Sequence, residues 1–479
     1  MTRTDTSSPP RSQPPVASRR WLVPLLRRLH FYAGIAVGPF LLVVALSGAL
    51  YALSTPVERM IYSDELTAPI SGEALPLADQ VSAATDYVGQ EETLVAVRPA
   101  PEPGETTRVM YSGTDLGESE TRAIFVDPAT AEVRGDLTTY GTSGALPVRT
   151  WIDQLHRGLH LGDFGRNYSE FAASWMAVVA LAGIGLWVAR AVTSRSRREA
   201  LLPRRDVSTR RGTLSWHASG GIVLALGMLF LSATGITWSQ HAGTHVTDLR
   251  AALGWTTPAV TTQLGEETAV PDEHAGHAGH GGGESGHPSA EPGTADPAMF
   301  DHALEMGQAE NIDSTNVEIL PPTSEDTAWV VQEIQRSYPT MVDSVAIDMG
   351  DMEIVDRVDF EDFGLMAKLA RWGVDIHMGT MFGLVNQIAV ALVALAIAAM
   401  VVLGYRMWWQ RRPTRGGTAR VGKPPARGAL QAAPWWGIGL VALVALAIGL
   451  FLPMVGFGLI GFLVVDLMVQ ARRTDRSPH

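Results

Sequence analysis

Apolar residues in this chain gather in long runs separated by polar stretches. A helix needs about 20 apolar residues to cross the hydrocarbon core of a bilayer. Four runs meet that length, at about 31–53, 171–189, 222–238 with its flanks, and 388–405. Two more, 435–452 and 454–469, are split by Pro453 and predict a tight hairpin of two further spans. The first run is too long for the apolar region of a signal peptide and carries a polar His30 at its start, so it reads as a retained span. Residues 1–20, rich in Ser, Pro and Thr, read as a disordered tail. Two long loops remain, about 54–169 and 240–387. Within them, segments 74–140 and 296–362 open on a helical pattern, LADQVSAATDYV in the first. Alternating, β-rich stretches follow: LVAVRP, TRVMYS and AIFVDP, then WVVQEI and SVAIDM. Each segment predicts a helix packed on a small antiparallel sheet.

Charge then orients the spans. Of 37 Lys and Arg, 24 lie in the N-terminal tail up to Arg28, in 190–211, in 406–427 and in 472–476; these regions and the last span hold five acids. The other regions hold 13 basic residues against 44 acids. Basic segments stay on the cytoplasmic side. The expectation is a cytoplasmic-membrane protein with both termini inside and both long loops outside. The formal net charge of −12 argues against a nucleic-acid partner and leaves membrane lipid as the surrounding phase. Cysteine is absent, which excludes disulfides, iron–sulfur clusters, thiolate metal sites and covalently attached haem.

The chain is internally duplicated. At a shift of 187, His30, Gly34, Ser47 and Gly48 align with His217, Gly221, Thr234 and Gly235. At a shift of 221, Asp127, Glu132, His156, Gly158, Gly162, Gly183 and Trp187 align with Asp348, Glu353, His377, Gly379, Gly383, Gly404 and Trp408. The unit is span, outer domain, histidine motif, span. Repeat one covers 21–190, with its histidine motif at 155–166. Repeat two covers 214–412, with a His-rich linker at 266–295 and its histidine motif at 376–387. A basic loop, 191–213, joins the repeats. A linker at 413–433, a hairpin at 434–471 and a tail at 472–479 lie outside them. The expected fold is an α-helical integral membrane protein, with a four-helix core bundle, a C-terminal two-helix hairpin and two extracytoplasmic α+β domains.

The duplication singles out four of the thirteen histidines. His30 and His217 each begin a span, and 18 residues on, about five helical turns, come Gly48 and Gly235 on the same face. Gly34 and Gly221 continue that face. Histidine followed by glycine lets a flat, bulky group lie against a helix, so His30 and His217 could hold a haem between two helices of the bundle. His156 and His377 precede their spans by 11–15 residues with glycine-rich breaks between, which could fold them back toward a second haem. Helix capping, lipid contact or binding of a structural metal are the plainer readings of the same four residues. His160, Met381, His241 and His245 are spare ligand candidates. His274, His277, His280 and His287 form a Gly-rich tract that is either a solvated linker or a weak metal-binding segment. Trp187 and Trp408 read as interfacial anchors.

The pieces LHFYAGIAVGPFLLVVALSGALY, FVDPATAEV, LHRGLHLGDFGR, WHASGGIVLALGMLFLSATGITW and IHMGTMFGLVNQ…LGYRMWWQRR resemble the PepSY-associated transmembrane family over about 20–412. Two positions depart from its pattern: Ala131 stands where the family has glycine, and DMGDMEI lacks the DP-x-T-G core. The resemblance implies PepSY-like outer domains and, by analogy with relatives, an oxidoreductase of the ferric-siderophore reductase type. It would hold two b-type haems on His30, His156, His217 and His377. A cytoplasmic flavoprotein or membrane quinol would be the electron donor and a ferric chelate the acceptor. The basic loops carry no dinucleotide fingerprint, so the donor must be separate. Two other functions stay open: a membrane-anchored PepSY regulator or sensor of extracytoplasmic peptidases, and a copper- or iron-handling protein. The first four spans have no Asp, Glu, Lys or Arg at their centres, which counts against an ion path.

Overall fold

In a computed structural model, the described residues are 21–89, 92–194, 201–204, 206–265, 295–411, 425 and 428–474. The N-terminal tail, the tract with His274, His277, His280 and His287, and most of linker 413–433 lie outside them.

Among the described residues, four helices are long and apolar enough to cross a membrane: α1 (Leu22–Ala52), α6 (Gly162–Thr193), α7 (Arg210–Ile236) and α11 (Gly383–Trp409). Other α-helices of the described residues are α2 (Ser54–Ile61), α3 (Ser63–Leu66), α4 (Leu77–Val88), α5 (Pro147–Gly158), α8 (Ala242–Ala252), α9 (Ala298–Ala309), α10 (Leu365–Met378), α12 (Trp435–Phe451) and α13 (Pro453–Thr474). Buried positions on α1 recur every four residues, at Ala33, Val37, Leu41, Ala45 and Ala49, which is one face of a helix. Most are small, so neighbouring backbones approach closely, as membrane helices require in the absence of a hydrophobic drive. Ala49 and Ala52 of α1 pack on Ala391 and Ala394 of α11 in this way. The hairpin α12–α13 is apolar, but its helices are shorter than the four spans over the described residues, where the sequence predicts six spans. Asp466 in α13 forms an ion pair with Arg28 of α1 at 2.5 Å, which neutralises the one acid in that apolar helix.

The described residues divide into two compact units. One gathers the described parts of Met1–Pro39, Trp175–Leu226 and Met400–His479; the other gathers Phe40–Ser174 and Gly227–Ala399. The second contains the sheet. Its strands are β1 (Thr93–Arg98), β2 (Thr107–Ser112), β3 (Glu120–Val126), β4 (Val133–Tyr140), β5 (Val317–Leu320), β6 (Trp329–Glu333), β7 (Ser344–Asp348) and β8 (Glu353–Val358). Each repeat contributes an antiparallel meander of four strands. The two meanders join edge to edge where Val97 of β1 pairs with Ile319 of β5, giving one eight-stranded sheet in the order β4-β3-β2-β1-β5-β6-β7-β8. The sequence predicts two separate small sheets. Pairing the β1 and β5 edges satisfies backbone groups that separate sheets would leave exposed.

Strand alternation sorts the two faces. Val97, Val109, Tyr111, Ile124, Val126, Ile319, Val331, Val345 and Ile347 pack with α4 and α9 in one core. Ala96, Met110, Ala123, Phe125 and Leu146 form a smaller cluster, against which Tyr62 and Leu66 pack. The carboxylate of Asp301 on α9 accepts the first backbone N–H groups of α4, from Leu77 at 2.8 Å and Ala78 at 2.9 Å, so one repeat caps a helix of the other. In the β3–β4 turn Asp127 accepts the Ala129 N–H, and in the β7–β8 turn Asp348 accepts the Gly350 N–H. The two positions that depart from or follow the repeat here, Ala131 and Met352, both adopt left-handed backbone, with φ of 56° and 57°.

Candidate functional site

The four duplicated histidines fall into two pairs, each within one compact unit. His30 on α1 and His217 on α7 meet with ring centres 6.0 Å apart and planes inclined by 69°. The Nδ1 of His30 lies 3.0 Å from the Val179 carbonyl. A carbonyl only accepts, so Nδ1 carries the proton and Nε2 keeps its lone pair. The buried Nδ1 of His217 makes no hydrogen bond of normal geometry among the described residues.

Glycines shape the space around this pair. A Cβ on Gly183 of α6 would stand 3.3 Å from Cε1 of His30, and one on Gly404 of α11 would stand 3.9 Å from Cε1 of His217. The repeat alignment pairs these glycines, but only the structure shows that each one faces an imidazole. At Gly34 and Gly221, one turn after the histidines, a Cβ would meet nothing within 4 Å. The helix surface beside each histidine is therefore open.

His156 and His377 sit near the ends of α5 and α10. Chain reversals after these helices turn α6 and α11 back past them. Leu159, His160 and Gly162 adopt φ of 52°, 56° and 54°, and Gly379 and Gly383 adopt 79° and 56°. The Nδ1 of His156 lies 3.1 Å from the Ser47 hydroxyl, and the Nδ1 of His377 lies 2.5 Å from the Thr234 hydroxyl. Each hydroxyl already donates to a backbone carbonyl of its own helix, Ser47 to Val43 at 2.9 Å and Thr234 to Phe230 at 2.8 Å. When its one proton is so used, each hydroxyl accepts from the ring, the tautomer in which Nε2 keeps the lone pair. Glycine recurs beside both rings: a Cβ on Gly48 would stand 2.9 Å from Cε1 of His156, and one on Gly235 would stand 3.8 Å from Cε1 of His377. Desolvation holds both imidazoles neutral, His156 lowered to about 4 and His377 to about 3, the latter also because the two rings would repel each other if both were protonated. Trp238 meets the His377 ring edge-on at 5.3 Å.

The spare candidates are differently placed. His160 is exposed and stacks on Trp151 at 5.0 Å. His241 is exposed, and its Nε2 lies 3.0 Å from Oδ1 of Asn167. Met381 is buried. Among the described residues, no three His, Asp or Glu side chains converge as they would around a bare metal ion. What the site presents is two pairs of imidazoles, each pair able to offer two neutral nitrogen lone pairs. Ser47 and Thr234 are the functional positions that spacing alone did not reveal, although both occupy matching places in the duplication.

No curated protein matches the chain. The PepSY-associated TM region matches residues 27–411, which take in all four histidines, both meanders and, but for the first residues of α1, the four long apolar helices. This chain therefore belongs to the PepSY-associated transmembrane family.

Proposed function

We propose that this protein is a di-haem b electron carrier of the cytoplasmic membrane that reduces an acceptor on the far side, such as a ferric chelate. The observation that carries this reading is the duplicated imidazole arrangement: two pairs, each ring with a glycine at its Cε1, three of the four with Nδ1 in a hydrogen bond. With ring centres 6.0 Å apart, His30 and His217 are close enough for both to hold one group bound between their helices. The open surface at Gly34 and Gly221 supplies room for a flat macrocycle.

Haem b bound at each pair would supply one-electron chemistry between ferric and ferrous iron. The chain's own contribution is ligation and orientation. His30 and His217 would hold one haem, and His156 and His377 the other. Val179, Ser47 and Thr234 fix the tautomer that presents Nε2, an outer-layer role that sets ligand basicity. Apolar helices exclude water. The reaction served is the transfer of one electron to chelated Fe(III), and the Fe(II) so formed is held less tightly by hard oxygen ligands and leaves. The basic segments face the cytoplasm in this reading, and the donor is a separate flavoprotein or quinol.

The test is a dithionite-reduced minus air-oxidised absorbance spectrum of detergent-purified protein. Sharp α and Soret bands of low-spin b-type haem are expected, halved in His217→Ala and in His377→Ala and absent in the double variant. A featureless difference spectrum after expression with haem precursor contradicts the proposal.

A further inference from the structure

The acidic part of the chain, which holds 13 basic residues against 44 acids, concentrates five of those 13 around one cavity of about 390 Å³. The five are Arg59 of α2, Arg98 of β1, Arg108 of β2, Arg149 of α5 and Arg336 in the segment after β6. Only two acids, Glu58 and Glu105, share the lining. Some of the charge is already balanced. Arg98 binds Glu318 at 2.6 Å, Arg149 faces Glu58 at 3.8 Å and Arg59 faces Glu105 at 3.7 Å. Arg108 is different. No carboxylate lies within ion-pair distance of it among the described residues. Its guanidinium lies 5.3 Å from the Phe125 ring centre and reaches the Gly144 carbonyl at 3.4 Å. Arg336 donates to the Thr142 hydroxyl at 2.5 Å and to the Met378 sulfur at 3.9 Å.

Grouping guanidinium groups in a half-buried space costs free energy through lost hydration and mutual repulsion. The cost registers at two of the five arginines. Arg108 and Arg336 are each lowered to about 10, by desolvation first and then by neighbouring arginines. Both stay charged at neutral pH, because guanidinium does not give up its proton there. With Arg98 paired to Glu318, Arg149 to Glu58 and Arg59 to Glu105, the five arginines still outnumber these three carboxylates, an excess that a bound anion would neutralise. Guanidinium forks match carboxylates with two hydrogen bonds each. A single phosphate would fill only a small part of about 390 Å³, whereas donors on α2, β1, β2, α5 and the segment after β6 approach from several directions.

We infer that this cavity is a binding site for a small, soluble polycarboxylate, an anion with several separated carboxylates, gripped mainly by Arg108 and Arg336. The inference stands on the arginine-lined cavity alone and is independent of the haem reading.

The test is isothermal titration calorimetry of citrate into the full-length protein in neutral detergent and a phosphate-free buffer. Inorganic phosphate and the uncharged trimethyl ester of citrate are the comparators. Citrate should bind, the ester should not, and phosphate should bind at least tenfold more weakly. Arg108→Gln and Arg336→Gln should each weaken citrate by about 10- to 100-fold, the worth of a charge-assisted hydrogen bond. If either variant does not elute as a folded monodisperse species, Arg108→Lys and the rim variant Arg59→Gln take its place, and each should still weaken citrate by severalfold. No citrate binding by the wild type overturns the inference. So does equal binding of phosphate, which marks an adventitious ion only, or unchanged citrate affinity in the arginine variants.

Discussion

The Thr234 hydroxyl stands 2.5 Å from Nδ1 of His377, and one repeat earlier Ser47 makes the same contact with His156 at 3.1 Å. A hydroxyl that donates to its own helix and accepts from an imidazole fixes the ring's tautomer without adding charge. Thr234→Val keeps the shape and removes the acceptor. If His377 is a haem ligand, this variant should lose haem to an acceptor apoprotein about tenfold faster from one of the two sites, consistent with the 10- to 100-fold affinity cost of losing such partners. The other site should release haem at the wild-type rate. Equal release in wild type and variant would show that the hydroxyl does not support ligation.

The glycines beside the rings are not equivalent, and their spacing ranks them. A methyl group on Gly48 would come within 2.9 Å of His156, whereas one on Gly235 would sit at 3.8 Å from His377, an ordinary contact. Gly48→Ala should therefore displace an imidazole and remove about half of the haem absorbance, while Gly235→Ala leaves it near wild type. At Gly34 and Gly221 the space is open, so alanine fits the protein itself and leucine would block a bound macrocycle. Gly34→Leu should express and fold but lose one haem. Retention of full absorbance in both Gly48→Ala and Gly34→Leu would place the cofactor elsewhere.

Arg98 and Glu318, 220 residues apart, form a pair in which both side chains are at most a tenth exposed. It lies beside the β1–β5 junction and ties one repeat to the other. Gln332 donates to the second carboxylate oxygen at 2.7 Å. Glu318→Gln leaves a buried guanidinium uncompensated and should cost about 3 kcal/mol in denaturant unfolding of the sheet-bearing unit. The double change Arg98→Met with Glu318→Leu should recover much of that loss. A cost under about 1 kcal/mol for the single variant would mean that water enters the junction.

Met352 is half-exposed and adopts a φ of 57° at the turn between β7 and β8. A left-handed backbone costs a non-glycine residue about 1–2 kcal/mol. Glycine gives back about 0.5–1 kcal/mol through its freer unfolded chain. Met352→Gly should thus raise the thermal unfolding midpoint, by a net gain of about 0.5–1 kcal/mol. A lowered midpoint would show that the Met352 side chain makes contacts worth more than the strain.

Glu58 supplies the pH dependence. Its carboxyl is buried beside Leu146 and Arg149, and desolvation raises it above its ordinary value near 4.5, against the pull of Arg149. The folded state therefore holds this proton more tightly than the unfolded state. The stability Glu58 contributes is full at low pH and is lost as pH rises through the window that opens near 4.5 and closes at the raised value. The stability difference between wild type and Glu58→Gln, followed from pH 4 to 8, should move against the wild type as pH rises. A flat difference would mean that Glu58 is ordinary in its titration.

Four of the six predicted spans and the repeat of a β-meander were legible in the sequence because each leaves a periodic or repeated trace. Apolar runs mark helices, and His30, His156, His217 and His377 survive alignment at fixed offsets. The joined sheet was not legible: one residue pair, Val97 with Ile319, carries the β1–β5 register, and strand edges look alike until tertiary contacts choose a partner. The arginine cavity was invisible for a related reason. Its five arginines come from five elements at irregular spacing, in a region whose composition is acidic. Ser47 and Thr234 were visible as repeated positions, yet a hydroxyl in a span has several bland uses, and only its distance to Nδ1 assigns one.

The most direct measurement is the haem-to-chain ratio of the purified protein, by pyridine haemochrome against quantitative amino-acid analysis, after expression with haem precursor. Two b-type haems per chain is the predicted result, falling to one in His30→Ala and to one in His156→Ala. A ratio of zero in the wild type would contradict the account.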